Sequence, residues 1–214
     1  MARQAYQEQL LKLNGELIEM GDLCEEAMSL VMKALREKDE EIAVSVHKIE
    51  QKIDQKERDI EAMCMTLLLR QQPVSGDLRS ISSALRMIAD MERIGDHGED
   101  ISELTIRMAG KPYLQEITDI EQMATEATKM VTNSVDAYVN RDITLAREVI
   151  AADDIVDDLF DRVKLNIIEE LRTGTSDGEQ ATDLLMVAKY FERIGDHATN
   201  IAGWVIFSLT GEHE

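Results

Sequence analysis

Proline is nearly missing from this chain, with two in 214 residues, and aromatic side chains make up only 4%. So few breakers, alongside abundant Ala, Leu, Met, Glu and Lys, exclude a turn-rich β fold and describe an all-helical protein. Cysteine is as rare: Cys24 and Cys64 belong to no C-x-x-C arrangement. They read as buried reduced thiols of a cytoplasmic protein, with a disulfide or reactive pair as the alternative. The start, Met1-Ala-Arg-Gln-Ala-Tyr6, has no apolar signal core, and the most apolar run, Ile201 to Leu209, is too short to cross a bilayer. A soluble, cytoplasmic protein without a transmembrane segment is the expectation. Positive charge is scarce too. Only 23 bases stand against 43 acids, for a net charge of −20. Such a chain is repelled by nucleic-acid phosphates and by anionic lipid, and no Lys/Arg block offsets this. The charge favours a cation or a basic protein surface instead.

What the chain does have is a repeat. Glu-Arg-Ile-Gly-Asp-His occurs as Glu92–His97 and again as Glu192–His197, and an identical hexapeptide in a chain this short marks an internal duplication. The correspondence extends to Leu85 with Leu185 and Ile101 with Ile201. Further landmarks repeat as well. Lys38-Asp39 matches Arg141-Asp142, each ending one apolar stripe and capping the next. The Gln72-Pro73-Val74-Ser75-Gly76-Asp77 breaker, with Asp77 placed as a cap, matches Thr173 to Gly178. Pro112, after Gly110-Lys111, divides the halves. The pattern predicts helices over about 5–37, 39–71, 77–109, 115–140, 142–172 and 179–209. These form two tandem three-helix bundles, residues 1–111 and 112–214, with short turns forcing antiparallel packing. The stripes Leu10, Leu13, Leu17, Met20, Leu23 and Ile42, Val46, Ile49, Ile53, Ile60 support the first two helices. Met87, Met91, Ile94, Ile101 and Met108 support the third, and methionines in such stripes serve as core filler.

Each hexapeptide carries a carboxylate pair one helical turn apart, Glu92/Asp96 and Glu192/Asp196, on one face. Asp100 extends the first set, and Asn200 stands in its place in the second. The Lys38-Asp39 match sets an offset that aligns Glu50/Asp54 with Asp153/Asp157, each acidic-x-x-x-Asp with a β-branched residue before the second carboxylate. Antiparallel packing of the second and third helices of each half would bring four or five carboxylates to one surface. A lone acidic pair at this spacing is a solvated face, because acids are a fifth of the residues. Two matched pairs in each of two repeats point further, because clustered carboxylates raise one another's pKa unless a cation neutralises them. Oxygen ligands favour hard or borderline ions such as Fe3+, Mn2+, Mg2+ or Ca2+ over a thiolate zinc site. Gly95 and Gly195, costly inside helices, imply something approaching the backbone closely. His97 and His197 are rotated off the carboxylate face, which favours supporting or surface contacts over ligation. Arg93 and Arg193 are placed to orient the carboxylates, anion binding being their alternative. A carboxylate-bundle enzyme or metal store of di-iron type remains the competing class. The Glu-x-x-His spacing of such proteins is absent, as are a phosphate loop and a paired nucleophile, so no enzyme is expected.

The duplicated hexapeptide, with Glu50/Asp54 and Asp153/Asp157, closely resembles the PhoU family of phosphate-specific transport system accessory proteins, over essentially the whole chain. The resemblance implies six helices in two halves and a cytoplasmic, commonly dimeric protein. It also implies negative regulation of the phosphate-starvation response and of phosphate uptake, through the phosphate ABC transporter ATPase and a sensor histidine kinase. Metal ions, iron clusters among them, are implied as cofactors, with Fe, Mn, Mg, Ca and Zn as candidates. The ligand positions carried over are Glu50, Asp54, Glu92, Asp96 and Asp100, then Asp153, Asp157, Glu192 and Asp196.

Overall fold

The computed structural model describes residues 2–71, 75–110, 112–113, 117–173 and 177–212. Six helices occupy almost all of them: α1 (Ala2–Glu37), α2 (Glu40–Gln71), α3 (Ser75–Met108), α4 (Thr118–Asn140), α5 (Ile143–Thr173) and α6 (Gly178–Thr210). The all-α architecture expected from composition and periodicity is therefore present. Within each half the three helices pack on one another, and the halves join where α1 meets α4 and, more extensively, where α3 meets α6. The apolar stripes explain this arrangement. Leu13, Leu17, Met20, Val46, Ile53, Ile60, Met87, Met91 and Ile94 are all essentially inaccessible, and one continuous core runs from them into Val131, Val156, Phe191 and Ile201 of the other half. Cys24 and Cys64 are free thiols buried within it, and burial pushes both thiols up to about 12.

The matched turns behave alike. Lys38 and Arg141 each take a left-handed conformation at φ 55°, closing one helix so that the following aspartate can start the next. Asp39 accepts from the backbone N–H of Glu41 and Ile42, and Asp142 from those of Thr144 and Leu145. Asp177 caps α6 in the same way, through Glu179 and Gln180. Asp77 differs from expectation. It lies inside the first turn of α3, which begins at Ser75, where an acid is favoured by the helix dipole without acting as the cap. The breaker residues 72–74 and 174–176, and Lys111, lie outside the described residues. Pro112 lies between α3 and α4, and its carbonyl accepts from Gln180 Nε2 at 3.1 Å.

The α3–α6 joint is built from side chains that sequence assigned only loosely. His197 Nδ1 and Asn200 Nδ2 both reach Asp90 Oδ1, at 2.9 and 3.1 Å. On the other side of the joint the His97 ring stacks on Tyr190 with centroids 5.3 Å apart, and His97 Nδ1 lies 3.3 Å from Asp100 Oδ2. Both histidines thus belong to the seam between halves.

Candidate metal centre

Helices α2 and α3 run antiparallel, so residue numbers that rise on one fall on the other along their shared groove. His47 faces Glu99; Glu50 and Asp54 face Asp96; Asp54 and Glu57 face Glu92. Ile53 fits this groove because Gly95 opposite lacks a side chain: a β-carbon there would sit 3.1 Å from Ile53 Cδ1. The helices approach closely at the duplicated glycine, and the carboxylates on either side of Ile53 are drawn together.

Two sets of side chains bring ligand atoms within 4.8 Å of one another: Glu50 with Asp54 and Asp96, and Glu50 with His47 and Glu99. Glu50 belongs to both. It is only 9% exposed, and among the described residues its one ion pair is with His47 Nδ1, 3.7 Å away. Burial, then the Glu99 and Asp54 charges, push its carboxyl up to about 7. Asp96 and Glu92 are raised too, chiefly by burial. Arginines partly offset the repulsion. Arg93 reaches Asp96 at 2.8 Å and Glu92 at 3.4 Å, and Arg58 reaches Asp54 at 3.2 Å. Arg93, expected to orient the Glu92 and Asp96 carboxylates, is thus in contact with both. A buried carboxylate with no hydrogen-bond donor among the described residues, set among several acids, suits a hard or borderline cation.

The second half repeats the arrangement with different pairing. Asp153 is pushed up to about 6 by burial first, then by the charges of Asp196, Asp157 and Glu192, so these acids of α5 and α6 lie near enough to repel one another. Lys189 Nζ, however, grips Glu192 through both oxygens at 2.6 and 2.5 Å, and Ala89 occupies the corresponding place in the first half. Among the described residues, no triad in this half has ligand atoms as close as those of the first.

Sequence reasoning missed His47, Glu99 and Glu57. The repeat selects residues present twice, and these three are matched by Ile150, Thr199 and Phe160. Helical spacing could have found them: His47 is three residues before Glu50 and Glu99 three after Asp96, both on the groove face. Asp100, which sequence placed in the set, instead pairs with His97 beside the α3–α6 seam. Asn200 pairs with Asp90 there as well.

A family model described as PhoU domain matches residues 17–105 and 120–205, one copy over each half. The chain belongs to the PhoU family. Among relatives, it is 35% identical over 213 residues to a phosphate-specific transport system accessory protein PhoU homolog of Clostridium acetobutylicum, covering 99% of this chain and 97% of that one. It is 31% identical over 212 residues to the homolog of the same name from Synechocystis, covering 99% and 94%. The crystal structure of PhoU from Pseudomonas aeruginosa superposes with a TM-score of 0.93 at 28% identity, over 97% of this chain and 100% of that chain. The phosphate transport system regulatory protein PhoU from Streptococcus pneumoniae shares the fold, with a TM-score of 0.91 at 24% identity, over 98% and 99%.

Proposed function

We propose that this chain is a negative regulator of the phosphate-starvation response that also restrains phosphate uptake. In this reading it is a cytoplasmic, homodimeric adaptor between the phosphate ABC transporter ATPase and a sensor histidine kinase. The reading is carried by the match, over nearly the full length of both chains, to accessory proteins of phosphate-specific transport systems. No described helix is long and apolar enough to cross a membrane, which fits a protein that reaches membrane partners by docking. The relatives' printed description as accessory proteins supports an accessory role over the di-iron type of enzyme or metal store.

The acidic grooves supply the mechanism. Metal ions held by Glu50, Asp54, Glu92 and Asp96, with Asp100 at the margin, and by Asp153, Asp157, Glu192 and Asp196 would neutralise a face that is otherwise strongly negative. Since docking of this chain on a basic partner is electrostatically steered, metal occupancy would tune it. Two experiments test these claims. Deleting the gene should leave a phosphate-starvation reporter switched on in phosphate-rich medium; a reporter that still shuts off rejects the regulatory role. The double change Glu92→Lys and Asp96→Lys should weaken capture of the kinase and the transporter ATPase at unchanged helicity. Undiminished capture rejects the metal-face mechanism.

A further inference from the structure

The first-half groove carries one rung more than the duplicated motif accounts for. His47 lies one turn before Glu50 on α2, and Glu99 one turn beyond Asp96 on α3, so the antiparallel register sets them opposite each other. We propose that His47 Nδ1, with the carboxylates of Glu50 and Glu99, forms a second, nitrogen-bearing metal subsite that selects a borderline transition-metal ion such as Zn2+ or Fe2+, and that the second half has no counterpart to it. This rests on the reading of the first-half groove as a metal site.

Three observations support the assignment. The three ligand atoms lie within 4.8 Å of one another, close enough for one ion to draw them to ligating distance with side-chain rotation alone. Glu50 is 9% exposed, has no hydrogen-bond donor among the described residues, and is shared with the Asp54/Asp96 set. A buried carboxylate common to two adjacent ligand sets is placed to bridge two ions. Finally, the remaining ring nitrogen of His47 is already held, because Gln51 Nε2 lies 2.8 Å from His47 Nε2. With Nδ1 on a metal, Nε2 carries the proton, and turning the Gln51 amide over presents its oxygen to accept it.

The asymmetry between halves follows from the residues. Ile150 replaces His47 and Thr199 replaces Glu99, so the second groove offers carboxylates alone, one of them tied to Lys189 at 2.5 Å. Imidazole suits zinc, iron and nickel, whereas carboxylate and water suit magnesium, calcium and manganese. The two halves of one chain therefore differ in the class of ion they prefer.

The test uses the full chain, stripped with a chelator and titrated separately with Zn2+ and Mg2+. His47→Ile, which copies the second half, should weaken one Zn2+ site roughly tenfold or more. Mg2+ affinity should change less than about twofold. Zn2+ should also shift the nitrogen NMR resonance of His47 Nδ1. The imidazole side chain is 54% exposed, so the variant should keep its fold, which circular dichroism would verify. In the opposite direction, Ile150→His with Thr199→Glu should add Zn2+ affinity to the second half. Equal Zn2+ binding by wild type and His47→Ile, or an unmoved Nδ1 resonance, overturns the subsite while leaving the carboxylate site standing. A chain that binds neither ion overturns both.

Discussion

A β-carbon on Gly195 would sit 3.3 Å from Oδ1 of Asp153, so the repeated glycine of α6 makes room for a candidate ligand on α5. In the first half the same glycine, Gly95, makes room for Ile53, whose Cδ1 and Cγ2 would be 3.1 and 3.3 Å away. The neighbours differ in their capacity to yield. The Asp153 carboxylate is only partly buried and can rotate, whereas Ile53 is 1% exposed and β-branched. Gly195→Ala should therefore gain about 1 kcal/mol of helix propensity, raise the melting temperature of the metal-free chain, and weaken metal binding in the second half. Gly95→Ala meets overpacking of about 1–3 kcal/mol, which offsets or exceeds that gain. Calorimetry on both variants checks the contrast; equal stabilisation by the two would refute it.

The pH dependence of the metal-free chain should run against the usual trend. Most carboxylates in folded proteins are more acidic than in the unfolded chain and add stability as pH rises. Glu50 is raised to about 7 and Asp153 to about 6, so the native state holds protons that the unfolded chain has lost. Between about pH 4 and 7 the native state binds more protons, and stability falls as pH increases. In the presence of chelator the melting temperature should be higher at pH 5.5 than at pH 8. Glu50→Gln should flatten the upper part of that slope, leaving the Asp153 contribution below about pH 6. An unchanged slope in this variant would show that Glu50 is not the group responsible.

Much of the fold was legible because few positions could break a helix. Apolar stripes named the buried faces, and Lys38-Asp39 with Arg141-Asp142 named two turns. Asp77 was misjudged because an acid in the first turn and an acid at the cap look alike in sequence. The groove was legible only where it is duplicated: Glu50, Asp54 and Asp96 meet as the repeat implied. His47 and Glu99 were invisible to an argument built on identity between halves, since their counterparts are Ile150 and Thr199. The Lys189 grip on Glu192 was hidden for the same reason. Divergence between copies carries the differences in chemistry, whereas a repeat shows only what they share.

Metal binding should report itself as stability. A ligand that binds only the folded chain stabilises it by about 2.7 kcal/mol at a free concentration a hundred times its dissociation constant. For a domain of this size that is a rise of about 5–10 °C in melting temperature. Mn2+ or Zn2+ added to the stripped chain should give such a rise, reversed by chelator. Asp54→Asn with Asp96→Asn should remove most of it, while losing the Arg58 and Arg93 contacts at 3.2 and 2.8 Å costs the metal-free chain little, since exposed pairs contribute up to about 1 kcal/mol. Full metal stabilisation of the double variant would place the ions elsewhere.

The seam between halves can be weakened without touching the grooves. Asp90 accepts from His197 and Asn200 of α6 at 2.9 and 3.1 Å, and its side chain is 14% exposed. Asp90→Ala removes the acceptor of a part-buried and an exposed donor, a loss of about 0.5–1.5 kcal/mol for each bond at most, because water can reach the exposed one. Asp90→Asn keeps an acceptor oxygen in place and should lose less. Tyr190, its counterpart on the other side, stacks on His97 instead, so this bond has no duplicate to compensate for it. Denaturant titration should show the lower midpoint in Asp90→Ala. Metal titration of the same variant should match wild type, because the α2–α3 and α5–α6 grooves each lie within one half. A seam mutation that abolished metal binding would mean the grooves depend on how the halves are joined, and the two sites would then have to be treated as coupled.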